Sequence, residues 1–246
     1  MDSENTSIIT GRNPVLEALK SGREIDKLIV MRDAEGSIIK IIGAAKDRRI
    51  PIHYTDKASI DRICGGRAHQ GVAAYISPYA YCEVEDIITR AAVKGDDLFV
   101  ILLDGIEDPH NFGAIIRTAN AAGAHGVIIP KRRAAGITDT VVKASAGAVE
   151  YTPVARVSNI VQTIEKLKAM GVWTYAVDMD GQNCFKTDLK GRIALVIGGE
   201  GEGISRLAAE KCDHRVSIPM MGEITSLNAS NAAAVLMYEV CRQRNL

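Results

Sequence analysis

Leu195-Val-Ile-Gly-Gly-Glu-Gly-Glu-Gly-Ile-Ser205 is an apolar strand running into a glycine-rich turn with carboxylates at Glu200 and Glu202. Glycines let a backbone approach a ligand closely, and loops at strand ends are where α/β proteins place their chemistry. Downstream, Ile218-Pro-Met-Met-Gly-Glu-Ile-Thr-Ser-Leu-Asn-Ala-Ser230 is a short strand and a polar loop opening a small-residue helix. Upstream, Leu103-Asp-Gly-Ile-Glu-Asp-Pro-His-Asn-Phe-Gly-Ala-Ile-Ile-Arg117 has the same strand-to-helix character. The two later pieces read as one site.

Around them, strands and helices alternate. Residues 98–103 are a near-continuous apolar run, as in a buried parallel strand. Asp108-Pro109 caps a helix to Ala122 that Gly123 stops. Further strands are expected at 126–129, 149–154, 173–177, 193–197 and 216–218, and helices at 139–146, 159–170 and 228–242. This order predicts a parallel sheet with helices on both faces. Residues 7–75 read as a second, compact α/β unit. Its helix at 11–20 has Asn13 as N-cap, Pro14 in the first turn and Gly22 as stop. Strands follow at 25–30, 50–54 and 69–76, with helices at 37–48 and 57–63. The pattern breaks at Pro78, which makes 77–80 a linker, and a helix from Val84 to Val93 ends at Gly95. The expected domains are 1–76, a linker and helix over 77–95, and 96–246.

The chain has 246 residues, 47% of them apolar, enough for a packed core. Its formal net charge of +0 argues against nonspecific nucleic-acid or membrane binding by the whole molecule, while leaving room for local basic patches. Five cysteines, Cys64, Cys82, Cys184, Cys212 and Cys241, show no CxxC and no zinc spacing, which suits inert thiols in a reduced cytoplasmic protein and no metal. Met1-Asp-Ser-Glu-Asn5 is acidic and polar, unlike a signal peptide, and no apolar run approaches the ~18 residues of a membrane span.

The glycines of the turn fall at 198, 199, 201 and 203, which breaks dinucleotide GxGxxG spacing, and Glu200 and Glu202 would repel a diphosphate. No Walker lysine follows. The turn suits a purine, an amino acid or a sulfonium; alone, it also reads as a tight turn with solvated glutamates. Arg117 rises from an otherwise apolar helix face, with Gly113 one turn back leaving room beside it. A buried or half-buried arginine demands an anion, either on a ligand or on a carboxylate such as Asp104. Thr225, Ser226, Asn228 and Ser230 crowd a helix start; capping accounts for one of them, Ser226 or Asn228, but not for all. Ala232-Ala-Ala-Val-Leu-Met237 suits close helix packing, within the chain or across a dimer. His110 is a candidate acid/base, while His53, His69, His125 and His214 read as ordinary polar residues. Lys131-Arg132-Arg133 is a basic loop, fit for phosphate or simply solvated.

In order and spacing, Asn111-Phe-Gly-Ala-Ile-Ile-Arg117, Gly198-Gly-Glu-Gly-Glu-Gly203 and Ile218-Pro-Met with Ser226-Leu-Asn-Ala-Ser230 resemble the three motifs of the SpoU RNA ribose methyltransferases, in the SPOUT superfamily. Gly11-Arg-Asn-Pro-Val15 and His69-Gln-Gly-Val-Ala-Ala74 resemble the small ribosomal-protein-like RNA-binding domain that precedes the catalytic domain in one branch. That branch includes bacterial 23S rRNA guanosine 2′-O-methyltransferases. Two departures are mild: Gly199 stands where the family usually has alanine, and Ala229 and Asn231 replace valines.

The resemblance implies an α/β fold, a parallel sheet flanked by helices with a C-terminal trefoil knot, preceded by the small α/β domain. It implies S-adenosyl-L-methionine bound in the knot and a site completed in a homodimer. By the motif match, Gly198, Gly199, Gly201, Ile218, Met220, Leu227 and Ser230 would hold the cofactor. Arg117, Asn111, Glu200, Asn228 and Ser226 would serve the reacting ribose. A guanidinium stays protonated, so Arg117 is expected to hold phosphate and stabilise the developing alkoxide rather than act as a base. Arg12, Lys131, Arg132, Arg133 and the first domain would contact RNA. The implied function is methylation of a guanosine ribose in 23S rRNA. The alternatives are a tRNA ribose methyltransferase and, from another class, a noncatalytic RNA-binding ribosome-assembly factor.

Overall fold

The computed structural model describes residues 7–21, 23–33, 35–76 and 79–245. The expected helix stop at Gly22, the break at Ser77-Pro78 and the N-terminal Met1–Asn5 stretch lie outside the described residues. The chain divides into two units, 1–80 with 136–139, and 81–135 with 140–246.

The smaller unit runs β1 (Ser7–Thr10), α1 (Arg12–Lys20), β2 (Ile25–Met31), α2 (Ile38–Asp47), β3 (Ile52–Thr55), α3 (Lys57–Cys64) and β4 (Val72–Ile76). Its sheet has the order β1-β4-β2-β3, with β4 antiparallel to both neighbours and β2 parallel to β3. Side chains alternate across a strand. Leu28, Val30, Val72 and Ala74 therefore pack under α1 and α2 through Val15, Leu19, Ile38 and Ile41. Ile29 and Ala73 turn the other way, onto Ile60 and Cys64 of α3. β1 was not anticipated. β4 starts later than His69 because Gln70 and Gly71 turn the chain, at φ 50 and 83. His69 braces that turn: its Nδ1 accepts the Gly71 N–H at 3.0 Å, and its Nε2 lies 2.7 Å from Asp61.

The larger unit runs α4 (Val84–Lys94), β5 (Phe99–Asp104), α5 (Pro109–Ala121), β6 (Gly126–Pro130), α6 (Asp139–Ala144), β7 (Val154–Val157), α7 (Ile160–Ala169), β8 (Trp173–Asn183), β9 (Ile193–Gly198), α8 (Arg206–Lys211), β10 (His214–Ser217) and α9 (Ala229–Asn245). The sheet is parallel throughout, in the order β10-β8-β9-β5-β6-β7. On one face, Val100, Leu102, Ile128, Ala155 and Val196 pack against Ile87 of α4, Ile164 and Leu167 of α7 and Ala208 of α8. Ile101, Leu103, Leu195 and Ile197 are buried on the other face, where α5 and α9 pack on each other. α4, read from sequence together with the linker, thus packs in this unit's core. The strand expected over 149–154 is corrected: Ala148–Glu150 is a 3-10 turn, and β7 begins only at Val154. Ala146 and Gly147, at φ 49 and 82, reverse the chain just before it. β8 continues six residues past Val177, and α8 had no counterpart in the sequence reading.

His125, read as an ordinary polar residue, is buried: its Nδ1 accepts the Phe99 N–H at 3.1 Å and its Nε2 faces Asp96 at 3.3 Å. Burial holds its pKa below the usual histidine value. At the far end of α9, the Arg244 guanidinium donates to the carbonyls of Asp97 at 3.0 Å, Leu98 at 3.2 Å and Gly191, and lies 5.1 Å from the Phe99 ring. Among the described residues, no helix is long and apolar enough to cross a membrane.

Gly113 is reassigned by the fold. A Cβ there would lie 2.5 Å from Ala144 Cβ and 2.9 Å from the Val141 carbonyl, so the glycine admits α6 against α5 rather than making room for Arg117. Gly113→Ala is expected to cost about 1–3 kcal/mol through overpacking, read as a lowered urea midpoint with an unchanged m-value. An unchanged midpoint would show that α6 can move aside freely.

Candidate active site

The three quoted segments meet on one carboxylate. Glu200 Oε1 accepts the side-chain N–H of Asn111 at 2.9 Å and also that of Asn228. Asn111 is held in the first turn of α5, whose cap Asp108 accepts the N–H groups of His110 at 3.3 Å and Asn111 at 3.0 Å. Asn228 caps α9: its Oδ1 accepts the Ser230 N–H at 3.0 Å and the Ser230 hydroxyl at 2.6 Å. Asn228 therefore gives its oxygen to a helix and its nitrogen to Glu200. Asp104, offered by sequence as a partner for Arg117, instead accepts the Ser205 N–H at 2.9 Å and hydroxyl at 2.6 Å, tying the far side of the turn to β5.

Two of the turn's glycines also serve the chain's own backbone. A Cβ at Gly198 would stand 2.1 Å from the Gly203 carbonyl carbon, and one at Gly199 2.0 Å from the Gly105 oxygen. The second contact explains why alanine is absent at 199. Gly201 and Gly203 take φ +92 and +66, where side chains are strained.

Two clefts share this turn. One, of about 810 Å³, is lined by Asp104, Asp108, Asn111, Arg133, Glu200 and Ser205 among others. The second, of about 550 Å³, is lined by Asp178, Met179, Gly198, Ile218, Met220 and Leu227 among others. Gly199, Glu200, Glu202, Gly203 and Ile204 wall both. The second cleft has the size of a cofactor site and joins apolar side chains and backbone to a few polar groups, as a neutral purine and a sulfonium require. The first gathers Glu107, Asp108, Glu200 and Glu202 with two cations, Arg133 and Arg206. An anionic ligand there must meet one of those arginines.

The expected cofactor residues Gly198, Gly199, Gly201, Ile218, Met220 and Leu227 line the second cleft, as does Ser226. Ser230 does not; its hydroxyl braces Asn228. Arg117 departs furthest from expectation. It is exposed rather than half-buried, because Ile115, Ile116 and Ala119 take the inward side of α5. Six residues on from Asn111, it stands roughly 9 Å further along the helix axis, and it does not line either cleft. His110 is likewise exposed and outside both. Arg133 carries the guanidinium that the first cleft does receive. It sits at φ 56, a strained value for a side-chain-bearing residue. Backbone bonds flank it, Lys131 N–H to the Val157 carbonyl and Ala135 N–H to the Ile106 carbonyl, each 2.8 Å. Lys131 is half-buried and Arg132 exposed. In the smaller unit, Arg12 is partly used structurally, donating to the Gln70 carbonyl at 3.0 Å and the Ser37 hydroxyl at 3.2 Å. Sequence reasoning missed Asp178 and Met179, which line the second cleft from a strand expected to stop at Val177. Burial pushes the Cys82 and Cys212 thiols up to about 11, which disfavours the thiolate form in both. Among the described residues, no group of three or more His, Cys, Asp or Glu could hold a metal ion.

The profile of the SpoU rRNA methylase family matches residues 98–238, and that of an RNA 2′-O ribose methyltransferase substrate-binding domain matches residues 8–82. YacO of Bacillus subtilis, assigned to the TrmH family of tRNA/rRNA methyltransferases, is 46% identical over 245 residues, covering 99% of this chain and 98% of its own. A Staphylococcus saprophyticus protein with the same assignment is 44% identical over 240 residues, 97% and 96% of the two chains. Among solved structures, the SpoU methyltransferase AviRb of Streptomyces viridochromogenes, in complex with the cofactor AdoMet, superposes with a TM-score of 0.60 at 28% identity, over 96% of this chain and 89% of that one. An AdoMet-bound rRNA methyltransferase from Sinorhizobium meliloti gives 0.60 at 26% identity, over 96% and 86%. With its motif residues joined at one carboxylate and this likeness running along nearly the whole sequence, the chain belongs to the SpoU methylase family of TrmH-like RNA methyltransferases.

Proposed function

We propose that the chain is an S-adenosylmethionine-dependent RNA ribose 2′-O-methyltransferase acting on a guanosine of 23S rRNA. The observation that carries this reading is the turn at 199–204, one wall shared by a cofactor-sized cleft and a cleft holding Arg133. A group can pass between two ligands only where their sites touch. The AdoMet-bound relatives support the cofactor, and the substrate-binding match over residues 8–82 supports ribose as the acceptor.

Gly198, Ile218, Met220 and Leu227 would hold the cofactor, which supplies a methyl group on a cationic sulfur. A ribose hydroxyl would be a poor acceptor for that methyl until its oxyanion is stabilised, which is the task left to the polar groups on the shared wall. Glu200 fixes Asn111 and Asn228 by accepting from both, which leaves their amide oxygens and remaining N–H groups aligned for ligand or helix. Arg133 meets a phosphate of the bound nucleotide. Arg117, exposed on α5, reaches a reacting ribose in a second copy of the chain, so we propose a homodimer with shared sites. The C-terminal segment is proposed as the family's trefoil knot. Residues 1–76 are proposed as the ribosomal-protein-like RNA-binding domain, 77–95 as linker and helix, and 96–246 as the catalytic domain, at work in the cytoplasm.

Leu227→Arg is expected to abolish S-adenosylmethionine binding in calorimetry while circular dichroism stays unchanged, since a cation in the second cleft would oppose the sulfonium. Unchanged affinity would displace the cofactor from that cleft. The function itself is tested by incubating the protein with labelled methyl donor and total RNA, then mapping the ribose methylation. Label confined to tRNA would favour the second reading, which the tRNA/rRNA assignment of the relatives keeps open.

A further inference from the structure

A third cleft, of about 330 Å³, lies where β8 and β10 begin and shares no residue with the other two. Its floor is aromatic. Trp173, the chain's one tryptophan, is 54% exposed. Its ring lies 5.5 Å from that of His214, which in turn stacks on Tyr175 at 5.2 Å. Tyr175 is buried and its hydroxyl donates to the Asp188 carbonyl at 2.7 Å, so the lowest ring is fixed. The strand register sets His214 beside Tyr175, and Trp173 projects from the same face two residues back. Lys186 and Lys190 stand at the rim with the Asp188 carboxylate between them in sequence. Among the described residues, neither lysine side chain makes an ion pair or a hydrogen bond.

An open indole beside two unpaired ammonium groups has the chemistry of a nucleotide site: a flat base for the ring and a phosphate for the lysines. An apolar peptide would use the ring and leave both cations unmatched. We propose that this cleft binds an unpaired nucleotide of the RNA substrate, with its base stacked at Trp173 and His214 and its phosphate at Lys186 and Lys190. The proposal rests on the RNA methyltransferase reading and adds a second contact point to it. β8 links the two sites. Trp173 begins the strand, while Val177 and Asp178 line the cofactor cleft, roughly 13–17 Å along it. The nucleotide held here therefore lies at a distance from the methylated one, not at the reacting position.

Because Trp173 is the sole tryptophan, its emission reports on this cleft directly. A short single-stranded oligoadenylate added to the whole protein is expected to quench that emission saturably, and S-adenosylmethionine alone to leave it unchanged. The double variant Lys186→Ala, Lys190→Ala keeps the tryptophan and should raise the half-saturating concentration about tenfold without moving the thermal midpoint. Trp173→Leu should raise KM for RNA and leave kcat unchanged. Emission indifferent to oligonucleotide that a filter assay shows to be bound overturns the proposal. So does emission that shifts with protein concentration alone, which marks a protein contact instead. Methyl transfer is measured on the same preparation. Transfer with a silent tryptophan sinks the stacking site only. Quenching without transfer sinks the enzymatic reading and keeps the nucleotide cleft.

Discussion

Glu200→Ala is expected to lower methyl transfer by about two to three orders of magnitude, the size of effect seen when a positioned group at a developing oxyanion is lost. The variant should stay folded. The carboxylate is on an exposed residue, and what it does is accept from two amides 117 positions apart in sequence, Asn111 on α5 and Asn228 at the cap of α9. Without it, Asn111 has no partner though its residue is only 8% exposed, and Asn228 keeps only its helix cap. Both then sample rotamers the reaction does not use. Glu200→Gln should fall between, because its amide oxygen can still accept from one asparagine while its N–H groups confront the other. Single-turnover kinetics with saturating S-adenosylmethionine would read the loss. Turnover close to that of the unaltered protein would mean that the three segments meet there for structural reasons alone.

The second large effect concerns the exposed arginine. Arg117→Ala is expected to lose about a hundredfold or more in turnover, with cofactor affinity unchanged, since Arg117 lines neither cleft. If it acts on a neighbouring copy, the Arg117→Ala and Glu200→Ala proteins repair each other. Mixed in equal amounts and allowed to exchange, half the dimers would carry one intact site, restoring about a quarter of full activity under two-fold symmetry. A mixture as inactive as its components would confine Arg117 to its own chain, where it lines neither cleft.

Much of this architecture was legible because strong punctuation coincides with strong periodicity. Asp108-Pro109 starts α5 and Gly95 ends α4, the latter in the left-handed conformation at φ 73. The buried strands β5 and β9 are nearly unbroken apolar runs. The meeting of Asn111, Glu200 and Asn228 came from matching motifs, since nothing in spacing brings residues 89 positions apart together. What sequence missed depends on neighbours it cannot display. Gly113 looked like room for an arginine, yet the space belongs to α6, a helix that becomes adjacent only on folding. Arg117 looked half-buried because its neighbours are apolar, but a helix turns 100° per residue and those neighbours take the inner side. Arg133 was one of three equal basic residues until the backbone bonds around it aimed one of them at the turn. His214 read as an ordinary polar residue, and only strand pairing stacks it on Tyr175.

Arg244 grips the carbonyl of Leu98 from 146 positions downstream. The same carbonyl accepts the Ile193 N–H of β9 at 2.8 Å, so the N-terminal edge of the central strand gains its last tie only once α9 has been made. A nascent chain at that stage can pair its sheet but lacks this clamp, which must wait for a very distant contact, the kind that slows folding. Until then the face of the sheet that α9 covers stays open to solvent, the kind of exposed apolar surface that chaperones shield in a growing chain.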